Sequence, residues 1–416
     1  MNTVDARQHL IKIYRTGLEA VQGGRCTCQR LLSHPLSGSV YVVAIGKAAG
    51  AMFLGAQEAL GDRLAGALVI TKFGHAQGLP VSDQVTVLEA GHPWPTRASL
   101  EAGDALLTFI ARVPGDGRML FLISGGASAL VEVLAPGITL DDWIRLNDWL
   151  LASGLDIHAM NRLRKAVSCI KGGRLARHVG DRPTTVLLIS DVPGDDPATI
   201  GSGLLVASPV TAATDMTTVP SWIAAMVEKG VPAPVATASL FDTIDVEIIA
   251  SPEQAKHAAA AQGQALGYPV FEHREALEGD AVAAGCRLAA VVAGGSPGLH
   301  IWGGETTVRL PPHPGRGGRN QSLALAAAGA LAGIPGVALL AAGTDGTDGP
   351  TGDAGAVVDG GTLTRGEARG LNAALSLANA DAGTFLAASG DLVHTGPTGT
   401  NVMDLVLGLK WPDVLG

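Results

Sequence analysis

Aromatic side chains make up only 4% of the 416 residues, so the cores of this chain must be built from Ala, Val, Leu and Ile. Cysteine is scarcer still, with four in all. Cys26 and Cys28 form a C-x-C pair, but Cys169 and Cys286 stand alone and no second pair completes a zinc tetrad. That pattern reads as reduced thiols in a cytosolic protein, not as a disulfide scaffold. Positive charge is also short: 29 Lys and Arg against 38 Asp and Glu leave a formal net charge of -9. A nucleic-acid partner is thereby excluded, since it needs clustered cations to displace counterions. A small anionic ligand is not, because a few local cations and backbone N–H groups can hold one inside an acidic protein. The first residues lack an apolar run with a small-residue cleavage site, so no leader is expected and the cytoplasm is the expected compartment. Long hydrophobic runs are missing too. Residues 323–343 come nearest to a membrane span, but Gly333, Pro335 and Gly336 break the run. They divide it into an Ala-rich helix, a stop and a strand at 337–342, so no membrane partner is expected.

Hydrophobic residues, by contrast, reach 47%, enough for large cores, and the length suits two or three domains. Short apolar runs at 40–45, 67–70, 85–88, 119–123 and 185–189 alternate with helical periods, the clearest spanning 96–113. Continuous apolar strands separated by helices imply a parallel sheet covered on both faces. A softer stretch rich in Thr, Pro and Ala covers 209–235, after which a strand at 245–250 and the helix start Ser251-Pro252-Glu253-Gln254 resume the pattern. Gly267 is expected to end that helix, with a strand at 268–271 after it. The expected fold is therefore α/β in two lobes: a Rossmann-like domain over 1–240 and a smaller α/β domain over 241–416.

In open parallel sheets ligands sit beyond the carboxyl ends of the strands, and the glycines concentrate there. VYVVAI is followed by GKAAGAM, MLFLI by SGGASAL, TVLLI by SDVPGDD and VALLAA by GTDGTDGPTGDAGA. In SGGASAL, Gly125 and Gly126 would let backbone amides approach an anion at the start of a helix, and Ser124 and Ser128 would add hydroxyls. A plain strand-to-helix turn is the alternative. GKAAGAM puts Lys47 beside positive helix potential, either to share an anion or as a solvated lysine. The spacing is not that of a Walker A loop. GRGGRNQS offers Arg316 and Arg319 to a carboxylate or phosphate, or forms an exposed basic loop. Asp191, Asp195, Asp345, Asp348 and Asp353 have the oxygen chemistry magnesium prefers, or make turns and caps. HTGPTGTNVMD, residues 394–404, is rich in hydroxyls and suited to line a pocket, while His394 alone reads as a structural histidine.

Taken together, AIGKAAGAM, EAGHPWP, LISGGASAL, SCIKGGRLA, LLISDVPGDD, GGETTV, GRGGRNQSLAL, GTDGTDGPTGDAGA and TGPTGTNVMDL resemble the glycerate 2-kinase family with a MOFRL C-terminal domain, some of whose members carry the name hydroxypyruvate reductase. The resemblance runs nearly the whole chain. It implies ATP- and magnesium-dependent phosphorylation of D-glycerate at the 2-hydroxyl. It further implies catalytic roles for Lys47, Arg319 and Asp191. Nucleotide and phosphate contacts would come from Gly46, Ser124, Gly125, Gly126, Ser128, Asp345, Thr398 and Asn401, and substrate contacts from Lys47, Ser124, Arg319 and Glu305. Asp191 and Asp345 would hold the metal. The partners expected are thus D-glycerate and ATP, with a homodimer left open. Two positions depart from the family pattern: Thr96 replaces the usual Asp after HPWP, and Ala380-Asp381 replaces an Asn-Asp pair. A nicotinamide-dependent hydroxypyruvate reductase is the alternative enzyme, but GSGLLVA lacks the third glycine of a dinucleotide loop. A non-catalytic sensor of sugar phosphates or hydroxy acids is the alternative outside catalysis.

Overall fold

The computed structural model describes residues 2–155, 157–207, 219–229 and 237–412. It falls into two compact units, one of residues 23–249 and one of residues 1–22 with 250–416. The first holds the strands β1 (Val40–Ile45), β2 (Leu64–Lys72), β3 (Val85–Ala90), β4 (Arg118–Ile123), β5 (Thr184–Ile189) and β6 (Ile244–Ala250). Their order in the sheet is β3-β2-β1-β4-β5-β6. The pairs β1/β2, β1/β4, β2/β3 and β4/β5 are parallel, Ile45 lying opposite both Ile70 and Ile123. This is the doubly wound order in which β1 and β4 are neighbours whose connections run off in opposite directions, opening a crevice at their carboxyl ends. The central strands are apolar throughout because both faces are covered: Val43, Phe121 and Val186 are fully buried, packed with Leu106 and Ile110 of the helix Arg97–Arg112. Of the stretch 209–235, only 219–229 is described, and it contains the helix Ser221–Lys229; the rest lies outside the described residues.

The second unit is built on β7 (Val270–Glu272), β8 (Gly298–Gly304), β9 (Val337–Gly343), β10 (Gly355–Asp359), β11 (Leu392–Val393) and β12 (Asp404–Lys410), in the order β11-β10-β9-β12-β8-β7. Only β7/β8 is parallel; β12 pairs antiparallel with both β8 and β9, and β10 with β9 and β11. The N-terminal helix Thr3–Ala20 belongs to this unit, which differs from the division expected near residue 240. Its Leu10, Ile13 and Tyr14 pack among Leu299, Ile301, Leu340 and Leu405. Each such side chain removed from water stabilises by about 1.5–3 kcal/mol. Arg7 adds ion pairs to Asp359 (2.6 Å) and Asp391 (2.7 Å), two nearly inaccessible carboxylates that Arg365 also holds. Helical period marks this segment as amphipathic, but says nothing about which sheet it serves.

Residues 323–343 divide as their glycines require. The helix Arg319–Ala330 stops before Gly333 (φ +72°) and Gly336 (φ +69°), and β9 follows. Among the described residues no helix is long and apolar enough to cross a membrane. None of the four cysteines is in a disulfide. Ser251 caps the helix Pro252–Ala265 by accepting the Gln254 N–H, and Gly267 turns left-handed just beyond it.

Both departures from the family pattern fall on helix ends. Thr96 is the N-cap of Arg97–Arg112, and its backbone N–H donates to Ser99 Oγ at 3.1 Å. Ala380 follows the helix Ala373–Ala378 with φ +50°, while its N–H donates to the Leu377 carbonyl and that of Asp381 to the Ser376 carbonyl. Those two bonds make a Schellman turn, whose left-handed position suits Gly or Asn and strains Ala. Ala380→Gly should therefore stabilise the protein by about 0.5–1 kcal/mol, a rise of roughly 1–4 °C in Tm. Thermal denaturation checks this, and a lower Tm would show that the lost methyl packing outweighs the relieved strain.

Candidate active site

At the carboxyl ends of β1 and β4 the two glycine turns interlock. The Lys47 N–H donates to the Gly125 carbonyl (2.9 Å) and the Ala48 N–H to Ser124 Oγ (3.0 Å). Gly46 has φ +130°, and a Cβ there would lie 2.2 Å from Ser124 Oγ and 2.6 Å from its carbonyl oxygen, so no other residue fits. Gly126 has φ +86°; a Cβ on it would stand 2.9 Å from the His92 ring and 3.4 Å from Lys47 Cγ. The backbone of Gly126 thus faces a lysine and a histidine with nothing of its own between. Asp191 is half-buried, next to Ser190 at the end of β5.

Three details differ from expectation. The helix after SGGAS is a single turn, Ala127–Leu130, so its dipole adds little and any anion affinity rests on local amides and Lys47. Ser124 is fully buried, and its hydroxyl ties the two turns together. Ser128 shares a 2.7 Å hydrogen bond with Ser202 Oγ. Both hydroxyls are thus engaged by the protein itself, because a glycine turn with no side chains needs bracing from its flanks.

In the other unit, Arg319 opens the helix Arg319–Ala330. Its Nε and one terminal nitrogen grip both oxygens of Asp404 (2.6 and 2.8 Å), and the remaining nitrogen meets Glu305 Oε1 at 2.8 Å. Burial alone would lower the Arg319 pKa, but Asp404 and Glu305 outweigh it and raise it, so the cation is permanent. The helix N-terminus is already capped from within, since Asp348 accepts the N–H groups of Asn320 (3.0 Å) and Gln321 (2.7 Å). A Cβ on Gly318 would lie 2.3 Å from Asp348 Oδ1, which explains that glycine. Arg316 pairs with Asp353 (2.7 Å), which His394 also meets at 2.6 Å. Asp345 Oδ1 accepts both the N–H and the hydroxyl of Thr347 (3.0 and 2.9 Å). Thr398 donates to the Thr344 carbonyl (2.5 Å) and Asn401 is buried nearby in sequence, within the loop that leads into β12.

Lys47, Gly46, Ser124, Gly125, Gly126, Ser128 and Asp191 therefore belong to one unit, and Arg319, Glu305, Asp345, Thr398 and Asn401 to the other. Sequence reasoning passed over His92 and Asp404, although each lies in a motif quoted above; of the two readings weighed for Asp348, magnesium ligand or cap, the structure shows the cap. Asp404 pairs with an arginine 85 residues away, a separation that no local pattern signals. Among the described residues no three His, Cys, Asp or Glu side chains gather as a metal cage. The aspartate and threonine oxygens at 345–347 are hard donors of the kind magnesium takes in ones and twos, with phosphate and water supplying the rest.

The class is that of a two-unit α/β enzyme: one unit is a doubly wound sheet with bare turns at its switch point, and the other carries paired cations and carboxylates. The family models match accordingly: a domain of unknown function (DUF4147) over residues 9–237 and the MOFRL family over 298–404. The D-glycerate 2-kinase of Thermotoga maritima is 36% identical, covering 96% of this chain and 97% of that protein. The glycerate 2-kinase of Pyrococcus horikoshii is 34% identical over 90% and 88%. An Agrobacterium vitis protein provisionally named hydroxypyruvate reductase is 36% identical over 97% and 94%. The crystal structure of Thermotoga maritima glycerate kinase superposes with a TM-score of 0.84 at 34% identity, covering 98% of this chain and all of that one. The chain belongs to the glycerate 2-kinase family.

Burial raises the Asp348 carboxyl from its ordinary 3.8 to about 7, against the lowering effect of the Gln321 and Asn320 N–H groups. A folded-state pKa above the unfolded one means that the native state binds the extra proton between these values. Stability from this group is full below about pH 4 and is lost as pH rises through about 7. Relative to Asp348→Asn, the wild type should gain stability as pH falls from 8 to 5, as read by denaturant midpoints. A difference that is flat or of opposite sign would show that Asp348 stays ionised throughout.

Proposed function

We propose that this chain phosphorylates D-glycerate at the 2-hydroxyl, with ATP as donor and magnesium as the accompanying ion. The observation that carries the reading is the interlocked pair of turns at the β1/β4 switch point, where Lys47 flanks bare glycine backbone. Phosphoryl transfer asks the protein for positioning and charge neutralisation more than for covalent help. The amides of Gly125 and Gly126 and the Lys47 ammonium suit phosphate oxygens, while the Ser124 N–H is held by the Ile45 carbonyl (3.0 Å). Arg319, aimed by its two carboxylates, suits the charge of the transferred group or the glycerate carboxylate. Asp191 and Asp345 are the carboxylates proposed for magnesium, and Thr398 and Asn401 are proposed to line the nucleotide site. Magnesium, when bound with the nucleotide, would neutralise charge between the phosphates.

A nicotinamide enzyme is less well supported. The first βα turn reads Gly46-Lys47-Ala48-Ala49-Gly50, without the spacing of a dinucleotide loop, and β2 ends in Thr71-Lys72 where an acidic residue would meet the ribose. Lys47→Ala and Arg319→Ala should each lower kcat by at least ~100-fold while the fold stays intact. The assay is coupled ADP release across small 2-hydroxy acids, with the position of the product phosphate read by phosphorus NMR. Near-normal turnover in both variants would remove these roles, and NADH oxidation with hydroxypyruvate but no ADP release would remove the kinase reading.

A further inference from the structure

The SCIKGGRLA segment carries a lysine to which none of the roles above applies. Lys171 and Glu132 are both wholly buried and form an ion pair with a short hydrogen bond. Glu132 Oε1 accepts from Ser168 Oγ (2.5 Å) and from the Val133 N–H (3.0 Å). The Lys171 ammonium also donates to the carbonyl of Ser128 at 2.8 Å and lies 5.5 Å from the Trp143 ring centre. Gly172 (φ +65°) and Gly173 (φ +80°) follow, their N–H groups donating to the carbonyls of Ser202 and Gly203. That left-handed pair turns the chain under the switch-point loop, so the lysine is enclosed below it. Ser128 is held a second time through Ser202, whose hydroxyl donates to Asn161 Oδ1 (3.1 Å).

A buried ion pair is a poor stabiliser compared with apolar side chains of the same volume. What it supplies here is direction: a charged donor, fixed by a carboxylate, aimed at one backbone carbonyl in the helical turn that follows the two glycines. Burial pushes Glu132 up and Lys171 down, while the hydrogen bonds between them oppose both shifts. We infer that Lys171 is a positioning residue, whose ammonium, held by Glu132, pins the Ser128 carbonyl and keeps residues 124–130 in the shape that offers amides to phosphate oxygens. This rests on the phosphoryl-transfer reading of that loop.

The test is the double variant Lys171→Met with Glu132→Gln, which removes both charges and keeps the volume. Its Tm should stay within a few degrees of wild type. The Kd for a non-hydrolysable ATP analogue should rise and kcat fall by about tenfold or more, with KM for glycerate little changed, since a displacement near 1 Å is costly to reaction geometry. Glu132→Asp, which keeps the charges but draws the lysine back from Ser128, should shift Kd and kcat in the same direction by a smaller factor, and it decides the matter if the double variant does not fold. Wild-type Kd and kcat in a folded double variant, or in Glu132→Asp should the double variant not fold, would overturn the positioning role. A wild-type protein that binds no nucleotide would overturn the reading beneath it.

Discussion

The contact between Gly46 and Ser124 sets what the rest of this site can be. β1 and β4 are adjacent parallel strands, so the turns that leave them start side by side. Any side chain on Gly46 would collide with Ser124, and with none there the Lys47 N–H reaches the Gly125 carbonyl. The two turns become one surface of backbone. Without this closure the crevice would be two separate loops, each free to move, and a lysine beside them would have no fixed geometry.

Three cations of this protein are aimed by carboxylates. Asp404 and Glu305 orient Arg319, Glu132 orients Lys171, and Asp353 holds Arg316. An arginine gripped on both edges loses little further entropy on meeting an anion, and its carboxylate partners prevent an uncompensated charge when no ligand is present. Asp348 plays a different part: it fills the helix N-terminus at 319–321 from within, so anion recognition in that unit falls to side chains more than to helix amides.

Strands β1, β4 and β5 are legible in the sequence because burial on both faces leaves unbroken apolar runs such as Val40–Ile45. The glycines that end them are equally plain. The antiparallel pairing of the second sheet is not, for the same reason: VALLAAG and DLVLGLK are buried almost throughout, and the alternation that would mark an antiparallel strand facing water is absent. The placement of residues 1–22 with the C-terminal unit depends on Arg7 meeting Asp359, 352 positions away. Lys47, Ser124 and Arg319 are visible as residue types in glycine-rich surroundings. That Ser124 braces the loops, and that Arg319 is already paired, are facts of tertiary packing. A hydroxyl beside a glycine looks the same in sequence whether it faces a ligand or a neighbouring turn.

The most direct test is kcat/KM for ATP-dependent glycerate phosphorylation by folded Gly46→Ala, alone and combined with Ser124→Ala. If the turns are interlocked, a methyl at 46 strikes both the hydroxyl and the carbonyl oxygen of Ser124. Gly46→Ala should then cost at least ~100-fold, and adding Ser124→Ala, which leaves the carbonyl clash in place, should not restore the activity. A Gly46→Ala enzyme with near-wild-type kcat/KM would contradict it.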